Sequence, residues 1–138
     1  MHQKFILASS SKSRYKILKN AGLNFTQKKP NCNEEDIKKT INRKTKPEIF
    51  AKKLSYEKAR SVSIKKLYAN KIVLGCDTVI YHNGKILDKV NSIDKAKKKI
   101  KSLSGKEHLI VSGLTICLNG SMIWENYEKT YVKVRKLN

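Results

Sequence analysis

A single aspartate, Asp77, sits between two apolar runs. Ile72-Val73-Leu74-Gly75-Cys76 precedes it, and Val79-Ile80-Tyr81 follows Thr78. A charge in that setting is costly unless it is paired, opens on a cleft or binds a metal. Asp77 is therefore the first candidate for chemistry. The second is Glu34-Glu35-Asp36, the one acidic cluster in a chain of net charge +20. Three adjacent carboxylates serve either to start a helix, whose first turn favours acids, or to hold a metal. The third is Ser9-Ser10-Ser11, which follows the apolar run Phe5-Ile6-Leu7-Ala8. Hydroxyls and backbone N–H groups at a helix N-terminus form a ready anion site. Other chemistries are poorly served. Cys32, Cys76 and Cys117 stand far apart with no Cys-x-x-Cys pair, which argues against a disulfide framework or a zinc site. His2, His82 and His108 are equally scattered. Cys76 and Cys117 read as small buried apolar residues.

These candidates need elements to position them. Phe5 to Ala8 reads as a buried strand that stops at the serines. Tyr15, Ile17, Leu18 and Ala21 follow at helical spacing, and Gly22 ends that helix. Leu23 to Thr26 suggests a second short strand, and Pro30 to Asp36 a loop. Pro47 suits a first helical position, and Phe50, Ala51, Leu54, Ala59, Val62 and Leu67 predict a long helix to about Tyr68. Ile72 to Cys76 reads as a fully buried strand that ends at Asp77-Thr78. Asn83-Gly84 predicts a hairpin turn, with Ile86 to Lys89 returning from it. Asp94 to Leu103 reads as a helix capped by Ser92. His108 to Leu118 and Met122 to Val134 read as two long strands joined at Asn119-Gly120. The alternation continues to Leu137 without a helix to cover the last hairpin, so a long sheet edge is expected to be exposed.

Composition narrows the partners. The 138 residues, 39% of them apolar, suit one domain with a real core. No apolar stretch approaches the length of a membrane span. The N-terminal apolar run is too short for a secretory signal, so a cytoplasmic location is expected. The positive charge comes from 27 Lys and only four Arg. Nucleic-acid readers cluster Arg and interleave aromatics, whereas Lys here is spread along the chain. The densest run, Lys95 to Lys101, falls on a predicted helix as a solvated face. Specific nucleic-acid binding is therefore not expected, although the field draws anions of any kind.

Taken together, the motifs resemble the Maf family of nucleoside triphosphate pyrophosphatases. Ile6-Leu7-Ala8-Ser9-Ser10-Ser11-Lys12-Ser13-Arg14 is similar to that family's L-A-S-x-S-P-R-R opening. Ala21-Gly22-Leu23-Asn24-Phe25 resembles its G-x-x-F, and Asn33-Glu34 its D-E pair. Tyr56-Glu57-Lys58-Ala59 resembles E-K-A, and Gly75-Cys76-Asp77-Thr78 resembles G-A-D-T. Asn83 to Lys89 resembles the N-G-x-x-x-x-K-P hairpin, and Leu103 to His108 resembles L-S-G-x-x-H. Ser13, Asn33 and Val90 depart from the pattern. Nothing here resembles the family's later G-x-Y-x-x-Q-G motif, so a single Maf-like domain over residues 1–138, incomplete at the C-terminus, is expected.

The resemblance implies an α/β fold of the Maf and inosine-triphosphatase type, with a mixed sheet, flanking helices and two lobes around a cleft. It implies hydrolysis of a nucleoside triphosphate to the monophosphate and pyrophosphate, with Mg²⁺ or Mn²⁺. It leaves room for a homodimer. The motifs at Thr78 and Leu103 to His108 look more like the dTTP/UTP branch than the methylated-guanosine branch, and modified nucleotides are the other substrate class. Carried over by position, Asp77, Glu34 and Lys58 become catalytic, with Asp77 and Glu34 as metal ligands. Ser9, Ser10, Ser11, Arg14, Thr78 and Lys89 become substrate-binding, and Ser104 and His108 line the site. Such chemistry needs charge neutralisation and a positioned water, and cations with carboxylates supply both. Two alternatives remain at this point: a nucleotide-binding remnant without turnover, and a basic nucleic-acid-binding protein.

Overall fold

The computed structural model describes residues 4–42, 44–87 and 90–137. Its elements are β1 (Phe5–Ala8), α1 (Lys12–Asn20), β2 (Phe25–Lys28), α2 (Glu34–Thr40), α3 (Pro47–Ser63), β3 (Ile72–His82), β4 (Lys85–Leu87), α4 (Ile93–Leu103), β5 (Glu107–Leu118) and β6 (Ser121–Lys133). They form one mixed sheet in the order β2-β1-β3-β5-β6, with β4 added on β3. β1 is parallel to both β2 and β3, whereas β5 and β6 are antiparallel.

The connections explain where a site can form. β1 lies between β2 and β3, so the chain leaves β1 to one side and later returns to its other side. That is a topological switch point, and ligands of open α/β sheets bind beyond the carboxyl ends of such strands. β1 pairs with β3 over Ile6↔Val73 to Ala8↔Gly75, and β4 pairs with β3 over Ile80↔Leu87 to His82↔Lys85. Between them, Cys76 to Val79 has no strand partner on that side. This gap separates the part of the sheet that carries β1 and β2 from the part that carries β4.

α3 lies across one face of the sheet and fixes the core. Ile6, Ala8, Ala59, Val62, Val73 and Cys117 form one buried cluster under it. Phe50, Ala51, Leu54, Val79 and Val111 form the next. The helix backbone approaches the strands closely because Gly75 and Gly113 face it. A Cβ on Gly113 would stand 2.5 Å from the Ala51 carbonyl, and one on Gly75 would overlap the Ser55 carbonyl oxygen. Ser55 Oγ and Thr115 Oγ1 share a buried hydrogen bond of 2.7 Å at this contact. On the opposite face, Leu7, Phe25 and Cys76 pack with Leu18 of α1.

Four expectations need correction. The second strand runs Phe25–Lys28 rather than Leu23 to Thr26, and the loop expected to Asp36 gives way to α2 at Glu34, where Asn33 caps the helix. The strand carrying Asp77 does not end there but runs on to His82. The long helix stops at Ser63, and Lys66–Tyr68 form a separate 3₁₀ turn. Leu67 continues the apolar spacing but is 79% exposed, so it has no surface to bury against and cannot extend the helix. The exposed edge appears as expected: every residue of β6 except Val132 is solvent-exposed. The lysine run lies on α4, which buries only Leu103.

Candidate active site

The charged centre is assembled by α2, α3 and β3. Asn33 caps α2, its side chain accepting from the Asp36 N–H, and this sets Glu34 in the first turn. The acids thus start a helix, as one reading required, and Glu34 also reaches away from it. Lys58 is a buried residue on α3. Its Nζ lies 2.8 Å from Glu34 Oε1 and 2.9 Å from Asp77 Oδ1. Asp77 is 4% exposed and Lys58 6%. Three sequence-distant charges, two negative and one positive, therefore meet at the gap in β3.

The electrostatics follow from that arrangement. Burial pushes the Asp77 carboxyl up, against the opposing pull of Lys58 and Arg14. Burial works to lower the Lys58 ammonium, but the Asp77 and Glu34 carboxylates outweigh it and the net direction is up. The ammonium is thus held charged between two acids. Cys32 has Lys58 and Glu34 nearby, yet burial pushes its thiol up. A thiolate nucleophile is disfavoured there.

A second group sits at the end of β1. Ser11 caps α1 by accepting from the Arg14 N–H at 3.2 Å. Ser9 Oγ accepts from the Ser11 N–H at 3.0 Å and from Arg14 Nη1 at 3.5 Å. Arg14 Nη2 donates to Thr78 Oγ1 at 3.1 Å. Strand alternation sends Asp77 and Thr78 to opposite faces. Asp77 meets Lys58 of α3, and Thr78 meets Arg14 of α1. The unpaired edge of β3 carries both Asp77 and Thr78 and so lies between the two groups.

The structure thus brings together Asp77, Glu34 and Lys58, and separately Ser9, Ser11, Arg14 and Thr78. Ser10 is exposed in the same turn. Lys89 lies outside the described residues. Ser104 is engaged elsewhere, accepting from the Leu137 N–H at 2.7 Å. His108 is buried with no hydrogen-bond partner at Nδ1, and no hydrogen bond among the described residues joins it to either group. Sequence reasoning missed Ser112, whose Oγ shares a hydrogen bond of 3.1 Å with Thr78 Oγ1. It also missed Gln27, which donates to the Ser11 carbonyl at 3.0 Å and steadies the serine turn. Ser112 is cross-strand from Thr78, so only the β3–β5 register could have revealed it.

Comparison with known proteins identifies the family of this chain. The family model described as Maf-like protein matches residues 4–138. The chain belongs to the Maf family. A nucleoside triphosphate pyrophosphatase of Pelagibacter ubique is 35% identical over 99% of this chain and 70% of its own length. A dTTP/UTP pyrophosphatase of Thermosipho melanesiensis is 39% identical, covering 96% of this chain and 66% of that protein. A 7-methyl-GTP pyrophosphatase of Bartonella henselae is 35% identical with the same coverage. The chain spans about two thirds of the length of these Maf relatives. Its fold matches the solved structure of a HAM1 protein from Coxiella burnetii, with a TM-score of 0.57 at 11% identity, covering 96% of this chain and 73% of that one. No described helix is long and apolar enough to cross a membrane.

Proposed function

We propose that this Maf protein hydrolyses nucleoside triphosphates between the α and β phosphates, releasing the monophosphate and pyrophosphate. The observation that carries the reading is the Glu34–Lys58–Asp77 cluster, with contacts of 2.8 and 2.9 Å, at the open edge of β3. Its relatives' pyrophosphatase names agree with it. Asp77 takes the proton of the attacking water. Its upward shift makes the carboxylate a stronger base, and Lys58 beside it favours the ionised form that can accept a proton. Arg14 and the Ser9–Ser11 turn bind phosphate oxygens with a guanidinium, hydroxyls and the N-terminus of α1.

A divalent cation fits the donor set. Mg²⁺ and Mn²⁺ favour oxygen ligands, and Mg²⁺ is commonly held by one or two carboxylates plus substrate phosphates. Glu34 and Asp77 offer such carboxylates. Among the described residues no third His, Cys, Asp or Glu groups with them to form a closed cage. When bound, the cation would neutralise charge building on the phosphates.

Among triphosphates we assign dTTP and UTP. The Thr78 and Ser112 hydroxyls, 3.1 Å apart, present donors suited to the keto oxygens of a single-ring base, while Arg14 holds phosphate. The identities to the dTTP/UTP and 7-methyl-GTP relatives, 39% and 35%, are too close to decide the base. The test is pyrophosphate release with Mg²⁺ or Mn²⁺ across canonical and methylated nucleotides. Release that is fastest from dTTP and UTP supports the reading. Release from none of them under either metal overturns it.

A further inference from the structure

A hollow of about 780 Å³ lies away from Asp77, between α2, the loop after it and the tip of the β3–β4 hairpin. Lys38, Lys39, Lys44 and Lys85 line it over an apolar floor that includes Ile41 and Ile86. Lysine is common in this chain. Here, however, three separate segments contribute lysines to one concavity, and among the described residues that line it Glu35 is the single acid. Glu35 is a weak counter-charge: its carboxylate is 3.9 Å from Lys38 Nζ and its side chain is 79% exposed. Four ammonium groups around one cavity repel each other unless an anion sits among them.

The hollow is a neighbour of the charged centre. Glu34 turns to Lys58, and the adjacent Glu35 lines the hollow, so α2 is a wall common to both. Phe50 of α3 also lines it. Phe50 and Lys58 are eight residues apart on one helix, about 12 Å along its axis.

We propose that this hollow is an anion site for condensed phosphates, pyrophosphate or longer chains, separate from the site at Asp77. The site rests on the lysine geometry; the class of anion rests also on the pyrophosphatase reading. A monovalent anion would leave most of the positive charge uncompensated. A chain of linked phosphates carries several charges at a spacing the lysines can follow. Pyrophosphate released at Asp77 would have a second place to bind.

The test is calorimetric titration of tripolyphosphate into the full chain, with circular dichroism as a fold control. The site variant is Lys44→Glu with Lys85→Glu, and Lys44→Gln with Lys85→Gln is a milder pair if the first unfolds. Lys97→Glu with Lys98→Glu on exposed α4 is the control for net charge, and Asp77→Asn tests independence from the charged centre. The site pair is expected to weaken binding about tenfold or more, against about twofold or less for the α4 pair and for Asp77→Asn. Equal weakening by the site and α4 pairs would overturn the proposal, since the net field alone would explain it. Loss of binding in Asp77→Asn would overturn it too, because the anion would then occupy the charged centre. Wild type that prefers sulfate over tripolyphosphate would refute the anion class. None of these readouts needs turnover, so a failure of the pyrophosphatase reading shows separately in the release assay.

Discussion

Replacing Lys58 by Met keeps most of the buried stem and removes the ammonium that joins Glu34 to Asp77. The variant leaves two carboxylates facing each other, with Asp77 only 4% exposed. Removing one member of a buried ion pair costs about 3–5 kcal/mol. Glu34 is 28% exposed at its side chain and keeps part of its hydration, which favours the lower end, about 3 kcal/mol. For a chain of this size that is a fall in Tm of roughly 10 °C. The pH dependence gives the sharper signature. Burial already pushes Asp77 up from 3.8, and loss of Lys58 moves it further in the same direction. A group raised in the folded state favours folding at low pH and loses that contribution as pH rises through its folded value. The deficit of Lys58→Met should therefore be small near pH 4 and grow toward pH 8. If Glu34 and Asp77 hold a divalent cation, Mg²⁺ should restore more stability to the variant than to wild type. Urea titrations at several pH values, with and without Mg²⁺, measure all of this. A deficit that is flat with pH, or below about 1 kcal/mol, would refute the reasoning that Lys58 neutralises a buried pair.

Two further outcomes follow from the same geometry. Gly75→Ala should lower the urea midpoint by the equivalent of about 3 kcal/mol, the upper end for overpacking, because the new Cβ meets the Ser55 carbonyl rather than a movable side chain. Displacing α3 there should also move Lys58 from Asp77 and reduce turnover. At alkaline pH the folded Lys58 is raised above 10.5, so its contribution is complete below that value. It is lost as pH rises through the higher folded pKa, and a stability profile should show wild type converging on Lys58→Met there.

Local chemistry made much of the fold legible. Asn83-Gly84 and Asn119-Gly120 predicted hairpins, and all four residues adopt the left-handed conformation such turns need. Ser11 and Ser92 cap the helices that their positions suggested. The strand end expected at Asp77 failed for a physical reason: the charge is balanced by Lys58 and Glu34 from other elements, so the strand need not stop to solvate it. Asp77 and the acidic cluster at Glu34 stood out from their charge setting, and Lys58 was found through motif resemblance. Their meeting depends on α3 lying on Gly75 and Gly113, which spacing alone does not reveal. Ser112 was invisible because its partner is fixed by strand register.

The most direct test of the central claim is product analysis by ³¹P NMR, with nucleoside triphosphate and Mg²⁺ or Mn²⁺, for wild type and Asp77→Asn. Wild type should yield the monophosphate and pyrophosphate. Asp77→Asn, folded by circular dichroism, should lose about 100-fold or more in rate, the scale of a lost general base. Nucleoside diphosphate with inorganic phosphate as the products, or undiminished pyrophosphate release by Asp77→Asn, would contradict the account.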